Sequence, residues 1–206
     1  MTMRYTDYIW DFDGTLADTY PHTAAAFCEV LAQEGIEADL AEADRLLRIS
    51  LGTAYKRYGV EQQLIDRFIA YEKTEAAQPP VRLYPHAREV LQALRDRGAR
   101  HFIATHRDSA AVTFLQWFGI DDLFVEVVTR ENGFAHKPDP ACVQYLIDKY
   151  RLDPATTLMV GDRELDVACG KNAGTDSCLF VEQGDVPPTV ADFCIRDLRE
   201  ILHSRG

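Results

Sequence analysis

From residue 81 onward the chain alternates short apolar runs with amphipathic stretches, and this rhythm restricts the fold more than any other feature. Apolar runs at 101–104, 124–128, 157–160 and 177–181 read as strands. The stretches 85–97, 109–118, 140–150 and 164–173 have helical spacing, and Gly98, Gly119 and Gly174 stop three of them. Strict strand–helix alternation predicts a parallel sheet with helices on both faces. One earlier run, Asp7-Tyr8-Ile9-Trp10-Asp11, reads as a buried strand ending in a turn at Gly14. Between these parts nothing in 17–80 has a strand pattern. A helix is predicted from Pro21 to Gly35, with Phe27, Val30 and Leu31 on one face. Helical patterns continue over 39–78, carrying Leu40, Leu46, Leu47 and Ile49, then Leu64, Ile65, Phe68, Ile69 and Tyr71. Gly52 and Gly59 read as their breaks, and Gln78-Pro79-Pro80 as a closing linker. A last short strand is expected over Asp192–Ile195, followed by a helix. The prediction is a doubly wound parallel-sheet α/β core, 1–16 and 81–206, with an all-helical insertion at 17–80. Cores of this kind bind ligands outside the carboxyl ends of their strands.

Composition narrows the function. The 206 residues are 47% hydrophobic, enough for a core without disulfide or metal staples. With 22 basic and 33 acidic residues the net charge is −11, which argues against nucleic-acid or anionic-membrane partners. No apolar run reaches about 18 residues, so no membrane span is expected. Met1-Thr2-Met3-Arg4-Tyr5 leads into no apolar signal region. Cys28, Cys142, Cys169, Cys178 and Cys194 are odd in number and form no CxxC, which reads as reduced packing thiols in a cytoplasmic protein. A small anionic substrate stays admissible, because a bound metal ion reverses a local negative field.

Four polar clusters sit at or near predicted strand ends: Asp11-Phe12-Asp13-Gly14-Thr15-Leu16, Thr105-His106-Arg107-Asp108, His136-Lys137-Pro138-Asp139 and Gly161-Asp162-Arg163-Glu164-Leu165-Asp166. A parallel sheet would bring them to one crevice. Asp11 and Asp162 would repel each other there unless a cation lay between them, and oxygen-only ligands suit Mg²⁺. A carboxylate beside such an ion can attack phosphorus. Asp13, two residues on, can turn into the site as general acid and then as base. The Thr105 hydroxyl and the Lys137 ammonium suit phosphate oxygens. Taken alone, Asp162 and Asp166 also fit a helix N-terminus.

In order and spacing, these clusters resemble the four motifs of the haloacid dehalogenase (HAD) superfamily, from residue 7 to about 181. The helical insertion looks like the C1 cap of the phosphoglycolate phosphatase-like branch. The resemblance implies a HAD-type Rossmannoid core and a Mg²⁺-dependent phosphatase acting on a small phosphorylated metabolite. Asp11 would be nucleophile and metal ligand, and Asp13 acid/base with its main-chain carbonyl on the metal. Asp162 would be a further ligand, with Asp166 supporting the metal shell or Lys137. Thr105 and Lys137 would hold the phosphoryl group, and Gly14 and Thr15 would shape the mobile turn beside the substrate. Two positions depart from the common pattern: His106 stands where a small or amide residue is usual, and Arg163 where Ser or Thr is common. His106 and Arg107 place positive charge near the leaving group, which suits a second anionic group. In the cap, the turn Ser50-Leu51-Gly52-Thr53, with Arg48, Tyr55 and Arg57, is the candidate substrate contact. Phosphoglycolate, sugar phosphates, nucleotides and pyridoxal phosphate all fit as substrates. A phosphomutase of the β-phosphoglucomutase type and a catalytically idle HAD-fold binding protein are the alternatives. Dehalogenases of the family lack the second Asp and need no Mg²⁺, and here Asp13 and Asp162 are both present.

Overall fold

The structure, a computed structural model, describes residues 4–74, 76–77 and 80–203. The expected linker therefore lies, at Gln78 and Pro79, outside the described residues. The chain forms two compact units, Met1–Ala17 with Leu83–Gly206, and Asp18–Arg82.

In chain order the elements are β1 (Asp7–Trp10), β2 (Ala17–Asp18), α1 (Tyr20–Gln33), α2 (Leu40–Ile49), α3 (Leu51–Tyr58), α4 (Gln62–Glu72), β3 (Arg82–Leu83), α5 (Ala87–Asp96), β4 (Arg100–Ala104), α6 (Ala110–Phe118), β5 (Phe124–Val128), α7 (Ala141–Tyr150), β6 (Thr157–Gly161), α8 (Glu164–Asn172), β7 (Asp176–Phe180) and β8 (Phe193–Ile195). Two of these correct the sequence reading. β2 and β3 pair with each other where the chain leaves and re-enters the larger unit; two residues per strand are too few to show a period. The expected last helix is a 3-10 turn, Leu198–His203.

The larger unit holds a six-stranded sheet in the order β5-β4-β1-β6-β7-β8, with every adjacent pair parallel. Successive side chains on a strand point to opposite faces, so each of the central strands serves two cores. On one face Ile9, Phe102, Ala104 and Met159 pack with Val143, Leu146 and Ile147 of α7 and Cys169 of α8. The opposite face carries Tyr8, Trp10 and His101, with Tyr8 and Trp10 stacked at 5.9 Å. There Trp10 Nε1 donates to His101 Nδ1 (3.2 Å), and His101 Nε2 donates to the Leu91 carbonyl of α5 (3.0 Å). The first bond needs Nδ1 unprotonated and the second a proton on Nε2, so together they need the neutral ring. Burial, only partly opposed by the Leu91 carbonyl, lowers the His101 pKa to about 4 and keeps it neutral.

The helical unit packs the rings of Tyr55, Tyr58 and Phe68 around Phe27, at centroid distances of 5.9, 5.7 and 5.4 Å. Val30, Leu31, Leu46 and Leu47 join this core, whereas Leu40 and Ile49 are more than half exposed. Glu72, buried at the end of α4, accepts from Thr23 Oγ1 (2.5 Å), and its carbonyl accepts from His22 Nε2 (2.9 Å). The break between α2 and α3 falls at Ser50, not at the expected Gly52. Ser50 is extended (φ −172°, ψ 153°), and its Oγ accepts the Thr53 N–H (3.0 Å). Gly52 lies in the first turn of α3 and breaks nothing. Gly59 does end that helix, in the left-handed region at φ 64°.

Helix α8 lies so close to the sheet that a Cβ on Gly170 would stand 2.5 Å from Met159 Cβ and from Ser177 Oγ. Gly170→Ala should cost about 1–3 kcal/mol by overpacking, read as a lower midpoint in urea. An unchanged midpoint would show that the helix shifts freely.

Candidate active site

β4, β1 and β6 are the three central strands, and their carboxyl ends deliver Thr105, Asp11 and Asp162 to neighbouring positions. After β1 the chain closes a tight turn in which the Leu16 and Ala17 N–H groups donate to the Phe12 carbonyl (3.1 and 3.0 Å). Gly14 sits at φ 79°, a region that strongly favours glycine. The turn sorts its side chains. Asp11 is buried, Phe12 stacks on Phe114 in the core, and Asp13 is partly exposed.

Lys137 comes from the segment before α7 and is fully buried. Its Nζ donates to Asp11 Oδ1 (2.6 Å) and to Asp166 Oδ1 (2.7 Å). The other oxygen of Asp166 accepts the Arg163 N–H at the start of α8 (3.1 Å). Asp11 Oδ2 is buried with no hydrogen-bond partner among the described residues. Asp162 Oδ1 accepts from Thr15 Oγ1 (3.4 Å). Oxygens of Asp11, Asp162 and Asp166 lie within 4.8 Å of one another.

Charge in this cluster does not balance: three carboxylates face the Lys137 ammonium, with Arg163 Nε 4.0 Å from Asp166 at the edge, and negative charge stays in excess. The carboxylate pKa values shift accordingly. Burial pushes Asp11 up to about 6; Lys137 pulls it down, and Asp166 pushes it further up. Asp162 is pushed up to about 8 by burial and by the charges of Asp11 and Asp166. For Lys137 burial acts to lower the pKa, and the two carboxylates more than reverse it. A divalent cation matches the excess in charge, and an all-oxygen donor set suits Mg²⁺. Asp11 Oδ2 and the Asp162 carboxylate are the groups fitted to hold it. Both Asp166 oxygens already serve Lys137 and the Arg163 N–H.

Around this centre, Thr105 is buried and its Oγ1 accepts the Arg107 N–H (3.1 Å). Arg107 Nε donates to Asp13 Oδ1 (2.7 Å), and His106 Nε2 accepts the Lys137 N–H (2.8 Å). The structure thus gathers these residues beyond the strand ends in three hydrogen-bonded groups, Lys137 with Asp11, Asp166 and His106, Arg107 with Asp13 and Thr105, and Thr15 with Asp162, with Gly14 in the turn beside them. Gly161 opens the fourth cluster, but sequence reading gives it no role of its own; a Cβ there would overlap the Asp166 side chain. Its signal was there, a glycine at a strand end directly before an acidic residue. The cap candidates make contacts within their own unit. Arg48 pairs with Asp44 and lies over the Tyr20 ring, Arg57 pairs with Glu42, and Tyr55 packs in the core.

The haloacid dehalogenase-like hydrolase profile matches residues 8–180, most of the chain. The chain belongs to the haloacid dehalogenase-like hydrolase family. A phosphoglycolate phosphatase of Vibrio vulnificus is 30% identical over 182 residues, spanning 82% of this chain and 80% of the relative. A hydrolase of Streptococcus pneumoniae shares 31% identity with a TM-score of 0.66, over 98% of this chain and 100% of the other. A predicted phosphoglycolate phosphatase of Haemophilus somnus superposes with a TM-score of 0.82 at 23% identity, over 98% and 99% of the two chains. The HAD core is therefore the observed six-stranded parallel sheet. Among the described residues no helix of this HAD-family chain is long and apolar enough to cross a membrane.

Asp11 and Asp162 have pKa values raised above the 3.8 of an unperturbed Asp, so their ionisation opposes folding. Without metal, stability should fall as pH rises from about 4 through about 6 and 8. Mg²⁺ should then raise the melting temperature more at pH 8 than at pH 5, measured against EDTA by scanning fluorimetry. A shift of equal size at both pH values would contradict the charge-excess account.

Proposed function

We propose that this chain hydrolyses a small phosphomonoester through an aspartyl-phosphate on Asp11, with Mg²⁺ as cofactor. The enzyme is a phosphoric monoester hydrolase, in keeping with its family and its phosphatase-named relatives. One observation carries the finer reading, the buried, unpartnered Oδ2 of Asp11 at the mouth of the sheet.

In this mechanism Lys137 and Thr105 hold the phosphoryl oxygens, and the Lys137 ammonium offsets their charge. Asp11 attacks phosphorus as the bond to the leaving oxygen breaks, and Asp13 gives that oxygen its proton. Asp13 then takes a proton from a water molecule, which attacks the acyl phosphate, frees inorganic phosphate and restores Asp11. Asp11, Asp162 and the Asp13 carbonyl would hold a divalent cation, which when bound would offset the excess negative charge. Asp166 keeps Lys137 in place, and Gly14 and Thr15 shape the turn beside the substrate. Arg107, paired with Asp13, orients the acid/base carboxylate and adds positive charge on the leaving-group side. The helical unit takes the part of the cap, which selects the leaving group. Phosphoglycolate heads the candidate substrates because relatives about 30% identical carry that activity in their names.

The test is phosphate release from p-nitrophenyl phosphate and from a panel of metabolite phosphates, with and without Mg²⁺. Asp11→Asn should abolish turnover, and Asp13→Asn should lower kcat by about 10²–10⁴. Undiminished turnover by Asp11→Asn would overturn the covalent mechanism. Transfer of phosphate between sugar positions without net release would favour a mutase.

A further inference from the structure

We infer that His106 is a positioning residue whose neutral imidazole anchors the main chain of Lys137, and so fixes where the buried ammonium sits. The inference rests on the phosphatase reading, in which that ammonium meets the phosphoryl group.

Lys137 lies outside the sheet and its helices, so its N–H has no place in a regular ladder. That N–H instead donates to His106 Nε2 at 2.8 Å. The far end of the same residue is held at 2.6 and 2.7 Å by Asp11 and Asp166. A lysine stem has four rotatable carbons, and fixing both ends leaves it little freedom. The ring of His106 also meets His136 edge to face, at a centroid distance of 4.5 Å.

The bond sets the protonation state. Nε2 accepts only with its lone pair available, so the ring is neutral with its proton on Nδ1. The surroundings agree. Burial comes first, then the positive charges of Lys137, His136 and Arg163, and these outweigh Asp166 to lower the His106 pKa to about 4. An imidazolium there would turn an acceptor into a donor facing another donor. The three residues after β4 thus divide their work. Thr105 lies in the site, His106 secures Lys137, and Arg107 secures Asp13.

The test pairs two substitutions with one spectroscopic measurement. His106→Gln keeps an acceptor of similar reach, and His106→Leu keeps bulk without one. His106→Leu should lower kcat about tenfold or more, as expected when a buried N–H loses its partner, and His106→Gln should recover most of it. A merely space-filling role predicts the reverse order or no difference, and either result would overturn the inference. On metal-free protein, ¹⁵N imidazole shifts at pH 7 should show His106 protonated at Nδ1 and unprotonated at Nε2, with the signal assigned by its loss in His106→Gln. A proton on Nε2 would overturn the inference whatever the kinetics. If the wild-type enzyme hydrolyses no phosphomonoester, the phosphatase reading fails. The tautomer still decides the His106–Lys137 link.

Discussion

The Lys137 ammonium, fully buried between Asp11 and Asp166, is the interaction on which the rest of the site depends. Removing it would leave three carboxylates with oxygens within 4.8 Å of one another and, among the described residues, only Arg163, 4.0 Å from Asp166, to offset them. Such an arrangement cannot be explained by stability. Desolvating ions costs several kcal/mol apiece, and well-packed apolar groups of the same size often serve a fold as well or better. The carboxylates raised to about 6 and about 8 are the measure of what this fold tolerates in order to present negative oxygens at one point. The cluster suits added positive charge, and that is the physical basis for reading a cation into it.

Strand order makes the cluster possible. β1 is the first strand in the chain and a middle strand of the sheet, flanked by β4 and β6. Residues separated by 94 and 147 positions in sequence, Asp13 with Arg107 and Thr15 with Asp162, therefore meet at hydrogen-bonding distance. Backbone detail completes the work. Gly161 leaves room for the Asp166 side chain, and Gly14 turns the chain so that Asp11 and Asp13 meet different surroundings.

Much of this was legible in the sequence. Parallel strands buried on both faces write themselves as short apolar runs, so β4, β5 and β6 were placed to within a residue. The helices of the larger unit were equally plain, because each shows one apolar face to the sheet. Other features carried no such signal. β2 and β3 are two residues each. The break at Ser50 is made by a side chain accepting a main-chain N–H, and composition pointed to Gly52 instead. Leu40 and Ile49 belong to a helical spacing but face solvent. Within the site the residue types were readable, while their pairings were not. Nothing in the string Thr-His-Arg says that the second residue will hold Lys137 and the third Asp13.

Asp11 and Asp13 show how one turn gives two identical side chains different chemistry. Asp11 ends a strand and points into a dry centre, where one oxygen meets an ammonium and the other meets no donor. An unpartnered oxygen in a buried carboxylate is a poor choice for stability and leaves that oxygen fitted to a cation. Asp13 lies beyond the strand, partly exposed, with its carboxylate on the Arg107 guanidinium. A group there can exchange protons with water and with a leaving oxygen, which the dry centre forbids. Pairs of like groups held in unlike surroundings are how a fold separates an attacking role from a proton-transfer role. Residues two apart on a strand would share a face, so in the proposed mechanism the separation comes from the strand ending at Trp10 and from the turn at Gly14, with its positive φ.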